Sequence, residues 1–174
     1  MRHLIKKTPF LGSPQTVNLI FKAALQSQNH YIIRQLVESI CKNVRSKDYL
    51  SELLAICHFV CAKTRYMRDP LTIELVKAPW LVAETIIKGN IPQLDCDDIT
   101  AFLAALLLAA GFKIRIVTVA FRHAFYQGER QYSHVFIQAY EPRSKTWVTL
   151  DPVAGEQTKK MLGRVAAAKV YNLE

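Results

Sequence analysis

Three residues in the second half of this 174-residue chain have the types and surroundings needed for nucleophilic attack on a carbonyl: Cys96, His134 and Asp151. A cysteine attacks as thiolate, so it needs a base, and the base needs a group that orients its ring. Cys96 stands in LDCDDITAFLAALLLAAG, at the start of an almost uninterrupted apolar run. A thiol at a helix N-terminus meets the positive end of the dipole and free backbone N–H groups. Both favour thiolate, and the same N–H groups can hold a developing oxyanion. Asp95, Asp97 and Asp98 surround it. They stabilise a helix start but oppose thiolate formation unless paired away from the sulfur, and Arg115 is a candidate partner for one of them.

His134 lies in QYSHVFIQAY, where alternation puts Tyr132, His134, Phe136 and Gln138 on one face of a strand. Asp151 closes TWVTLDP. Equal arms counted from a turn near Arg143 bring Asp151 within a couple of residues of His134 on the neighbouring strand. The helix that precedes these strands must cover one sheet face, which brings Cys96 to the same side. Singly, each residue has a plainer reading: a small buried hydrophobe, a satisfied strand polar group, a turn former before Pro152. The case rests on their order and contexts together.

Other groups carry less. His123, in FRHAFYQGER, is a competing base, but no Asp-Pro strand end pairs with it. Cys57, His58 and Cys61 lack a Cys-x-x-Cys pair and a fourth ligand, so they read as core rather than as a metal centre. Trp80 and Gln93 are upstream candidates for an oxyanion donor, with packing the plainer role for Trp80.

These residues need elements to hold them. Ser13-Pro14 is a cap-then-proline start, and Val17, Ile20, Phe21, Ala24 and Leu25 share one helical face. Gln26–His30 reads as a break. A second helix is expected over Tyr31–Val44, and a third starts at Asp48 or Ser51 and stops before Asp69-Pro70. The stretch 69–95 reads as mostly irregular, with helix near Trp80–Ile87. Asp97–Ala110 reads as a buried helix closed by Gly111. Lys113–Phe121, Gln131–Tyr140 and Thr146–Asp151 read as strands of an antiparallel meander, with a turn at Glu141–Lys145. In the tail, Leu162, Val165 and Ala166 stand at helical spacing.

The chain suits one domain, 1–174, made of a helical extension (1–50), a core (51–152) and a tail (153–174). Its net charge is +9, with 13 Lys/Arg against 6 Asp/Glu in residues 1–90 and 10 against 8 thereafter. A basic half attracts nucleic acid, an anionic surface or an acidic protein. No basic run is interleaved with aromatics, so nucleic acid is not expected as the main ligand. The apolar stretch near the start is broken by Pro14, Gln15, Asn18 and Lys22, unlike an export signal, and the run Ile99–Phe112 is too short to span a bilayer. A cytoplasmic setting is therefore expected, with Cys41, Cys57, Cys61 and Cys96 as free thiols.

From about Ser51 to Pro152 the chain resembles the transglutaminase-like superfamily of papain-fold cysteine enzymes, in its short bacterial and phage-encoded form. The resemblance is carried by Asp95-Cys96-Asp97-Asp98, Gly111-Phe112, Ser133-His134-Val135-Phe136 and Trp147-Val148-Thr149-Leu150-Asp151-Pro152. Tyr66-Met67-Arg68-Asp69-Pro70 and Glu74-Leu75 through Pro79 resemble the family's lead-in. Leu94 stands where many members have Gly, and Phe136 where many have Trp; neither change removes a catalytic group. The resemblance implies an α+β papain-like fold, with a helical N-terminal half packed on a small antiparallel sheet, and a triad of Cys96, His134 and Asp151. It implies acyl transfer at amide bonds of a protein or peptide, with no cofactor. Peptidase or amidase hydrolysis is preferred, and glutamine cross-linking or deamidation is the first alternative. A catalytically silent interaction module, such as a phage structural or assembly protein with an acidic partner, is the second.

Overall fold

The apolar run after Cys96 sits at the centre of the molecule. The computed structural model describes residues 4–5, 14–68, 75–123, 125–126 and 129–173. Ser13, Asp69-Pro70 and Glu74, invoked above as a cap, a stop and part of the lead-in, lie outside them. The helices are α1 (Pro14–Ser27), α2 (Tyr31–Cys41), α3 (Tyr49–Lys63), α4 (Pro79–Ile87), α5 (Cys96–Ala109) and α6 (Thr158–Leu162). The strands, in chain order, are β1 (Leu4–Ile5), β2 (Arg65–Tyr66), β3 (Leu75–Val76), β4 (Gln93–Leu94), β5 (Ile114–Phe121), β6 (Phe125–Tyr126), β7 (Glu129–Arg130), β8 (His134–Glu141), β9 (Thr146–Leu150) and β10 (Val165–Asn172).

Helix α5 packs against α1, α2, α3 and α4 on one side and β8 on the other. Every residue from Cys96 to Leu107 is buried, as an all-round apolar helix requires. Gly111 follows at φ 87°, the left-handed conformation that ends helices cheaply when no Cβ is present. The helical starts are set by caps. Asp48 accepts from Ser51 N at 3.2 Å to open α3, and Pro79 stands in the first turn of α4.

The main sheet is antiparallel throughout, in the order β10-β5-β8-β9. Val135, Ile137 and Ala139 join the core beneath the helices, while Phe136 joins Val117 and Val119 in a smaller cluster closed by Phe121, Met161 and Val165. The β8–β9 hairpin turns over Glu141, whose carboxylate accepts from Arg143 N (2.8 Å) and Ser144 N (2.6 Å). Helix, then meander, is the α+β arrangement expected. Among the described residues no helix is long and apolar enough to cross a membrane.

Several boundaries differ from the periodicity reading: α2 ends at Cys41 instead of Val44, and β8 begins at His134 instead of Gln131. Helix α1 continues through Ser27, which shortens the expected break to residues 28–30. In the tail, α6 takes Leu162, but Val165 and Ala166 belong to β10. Their spacing fits a helix as well as a strand, and the open edge of β5 supplies backbone partners from Arg115 to Phe121 that settle the matter. The 75–95 stretch is also more ordered than expected, because β3 and β4 flank α4.

Candidate active site

The helix start that carries Cys96 is built by Asp95. Its backbone is extended, and its carboxylate accepts from Asp97 N (3.0 Å) and Asp98 N (2.9 Å). Asp98 turns to Lys77, accepting its backbone N–H (2.6 Å) and its ammonium (2.8 Å). That ion pair replaces the expected one with Arg115. The β5 register places Arg115 on the sheet, where it donates to Gln138 Oε1 (2.8 Å) and lies 4.2 Å over the Trp147 ring.

Cys96 is buried, and its thiol hydrogen bond goes to Asp97 Oδ1 at 3.5 Å. Burial first, then the charges of Asp97 and Asp95 and the hydrogen bond to Asp97, push the thiol well above its ordinary range. The helix-start effect that favours thiolate is thus outweighed in this arrangement. The reason is local: one flanking carboxylate is directed at the sulfur rather than away from it.

His134 opens β8, and its Nε2 is 2.7 Å from Asp151 Oδ2. The pair is nearly closed to water, with side chains 10% and 1% exposed. The remaining Asp151 oxygen accepts from Val153 N and Ala154 N, both at 3.1 Å, which locks the carboxylate. Phe121 and Phe136 flank the imidazole, with ring centroids 6.4 and 6.1 Å away. The register puts Ile137 opposite Leu150, so Asp151 follows opposite Phe136 and reaches His134 on the diagonal.

Helix and strand are tied one turn beyond Cys96, where the Thr100 hydroxyl donates to Val135 O at 3.2 Å. Val135 is the neighbour of His134. The face of β8 under α5 is nevertheless the Val135/Ile137 face, and His134 alternates with Phe136. The structure therefore brings His134 and Asp151 into hydrogen-bond contact, ties the Cys96 helix to the neighbour of His134 through Thr100, and turns the Cys96 thiol to Asp97.

Of the other candidates, His123 is exposed in the turn after β5. Trp80 stacks on His30, with centroids 5.1 Å apart, a packing role. Gln93 lies in β4, paired with Arg65 of β2. Cys57 packs beneath Asp151. Burial, then the charges of Cys61 and Asp151, push it up to about 12. Among the described residues no group of three or more His, Cys, Asp and Glu side chains could hold a metal. One residue was missed in the sequence reading. Tyr66 is held by the parallel β2–β4 pairing opposite Leu94, two residues from Cys96. Burial first, then the Cys96 charge, raise its phenol above the ordinary range, with Arg68 opposing. Nothing short of the β2–β4 pairing, across a long sequence separation, signals that placement.

A family model described as the transglutaminase-like superfamily matches residues 34–152, about two thirds of the chain. No curated protein matches. Among solved structures, the fold is similar to that of a proposed cysteine protease from Cytophaga hutchinsonii, with a TM-score of 0.53 and 14% identity. That match covers 95% of this chain and 55% of the other. It is also similar to a proposed protease from Parabacteroides distasonis, with a TM-score of 0.53 and 13% identity over 80% of this chain and 26% of that one. The chain thus spans about half and about a quarter of these two proteins.

Proposed function

The chain belongs to the transglutaminase-like superfamily, and from that premise we propose that it is a cysteine-dependent acyl-transfer enzyme that hydrolyses amide bonds of a protein or peptide. The observation that carries the reading is the buried His134–Asp151 pair at 2.7 Å, beside the strand position tied to the Cys96 helix. Asp151 occupies Nε2, so that nitrogen carries the ring proton and Nδ1 is left as the base. Nδ1 takes the Cys96 proton as the sulfur leaves Asp97 and attacks the carbonyl carbon. The C–N bond then breaks as the imidazolium protonates the departing amine. Water, deprotonated by the same imidazole, cleaves the thioester and releases a carboxylate. Asp95 takes the N–H groups of Asp97 and Asp98, so in this reading the Cys96 backbone N–H is the oxyanion donor. Asp151 holds the ring and stabilises its cation throughout.

The test is digestion of denatured casein at neutral pH, read by mass spectrometry, with a fluorescent primary amine present. Fragments without amine incorporation are expected. Cys96→Ala and His134→Ala abolish them, and Asp151→Asn lowers kcat by about 10²- to 10⁴-fold. Amine incorporation without fragments would assign transglutaminase chemistry instead. The raised Cys96 thiol favours one further reading, a catalytically silent interaction module such as a phage assembly component. Neither fragments nor incorporation, together with iodoacetamide labelling of Cys96 that ignores His134→Ala, would establish it.

A further inference from the structure

A cleft of about 350 Å³ opens beside the Cys96 helix start, within the size range of ligand sites. Its apolar walls are Ile91, Ile99, Pro152 and Val153, and Arg65 and Tyr66 complete its polar side. Three links join it to the site described above. Ile99 is three residues from Cys96 on α5, Pro152 follows Asp151, and Tyr66 is paired opposite Leu94. Arg65 is the one charged side chain among the described residues that line it, and it is exposed. Its backbone N–H is satisfied by Pro92 O at 3.0 Å, while among the described residues its guanidinium makes no ion pair. The nearby carboxylates are engaged elsewhere: Asp151 with His134, Asp98 with Lys77, Asp95 with the N–H groups that open α5, and Asp97 with the Cys96 thiol.

We infer that this cleft is a specificity subsite for an acidic side chain of the peptide substrate, with Arg65 binding the carboxylate and the apolar walls taking the methylenes. Guanidinium suits a carboxylate because its fork of donors matches two oxygens. The surplus of 13 Lys/Arg over 6 Asp/Glu in residues 1–90 draws the same kind of peptide. The assignment rests on the hydrolase reading for its biological use, but its test does not need turnover.

Fluorescent hexapeptide libraries, each with one position fixed as Glu, Gln or Lys and the rest mixed, are titrated by anisotropy against Cys96→Ala protein. At one position Glu is expected to bind about tenfold tighter than Lys at low salt. Arg65→Glu is expected to invert that order while leaving the thermal midpoint unchanged. Equal affinity for Glu and Lys at every position, an order that survives Arg65→Glu, or no binding of any library overturns the subsite. Acid-selective binding with no cleavage by the wild-type protein would keep the subsite and remove the hydrolase. Cleavage without acid preference would do the reverse.

Discussion

Asp97 does more to set the state of Cys96 than any other single side chain. Its Oδ1 accepts the thiol hydrogen bond, and its charge is the largest influence on the sulfur after burial. Asp97→Asn removes the charge and keeps the shape. The midpoint of iodoacetamide labelling against pH is expected to move down relative to the wild type. A midpoint that stays put would show that burial alone governs the thiol. The Cys, His and Asp could be nominated from local context, and the diagonal between His134 and Asp151 follows from counting hairpin arms. The direction of the thiol could not, because it depends on a rotamer and on which carboxylate faces inward. The fate of Arg115 was hidden for a similar reason: its partners, Gln138 and Trp147, are fixed by strand register rather than by nearness in the chain.

At the scale of elements, apolar stripes of period 3.6 located α1 to α3, the unbroken apolar run located α5, and β-branched and alternating stretches located the β5–β8–β9 meander. Strand β10 escaped because small residues at Ala166, Ala167 and Ala168 carry little pattern, and an edge partner decided its form. Strand β5 contains one misfit. The Thr118 hydroxyl is fully buried and has no hydrogen-bond partner among the described residues. An unsatisfied buried hydroxyl costs about 1–3 kcal/mol, so Thr118→Val, which replaces it by a methyl, is expected to stabilise the fold by about 1 kcal/mol. That gain raises the thermal midpoint by about 2–4 °C for a domain of this size. A lower midpoint would mean that the hydroxyl has a partner.

For the molecule as a whole, the raised thiols of half-buried Cys57 and buried Cys96 make stability depend on alkaline pH. Cys57 stands at about 12 in the folded state against an ordinary 9.0, and Cys96 is also raised. A raised thiol contributes stability that is complete below the unfolded value and is lost as pH rises towards the folded value. Between about pH 9 and 12 Cys57 removes up to about 1.4 kcal/mol per pH unit. Denaturant unfolding of Cys57→Ala across that window is therefore expected to show a shallower decline than the wild type. Identical slopes would place Cys57 in contact with water.

The bond from Thr100 to Val135 has a kinematic consequence. It acts as a pin between helix and sheet, one turn from the sulfur and one residue from the imidazole, and a pin forbids sliding while leaving side chains free to turn. Sliding α5 along β8 would break that pin and disturb a helix buried along nearly its whole length. The motion left to Cys96 is rotation about its own Cα–Cβ bond, away from Asp97. Such rotations are ordinarily picosecond-to-nanosecond events, slower in a packed interior, yet far quicker than the microseconds to milliseconds that domain closure takes. On the proposed function, arming Cys96 is therefore a local click of one torsion, and no hinge has to swing.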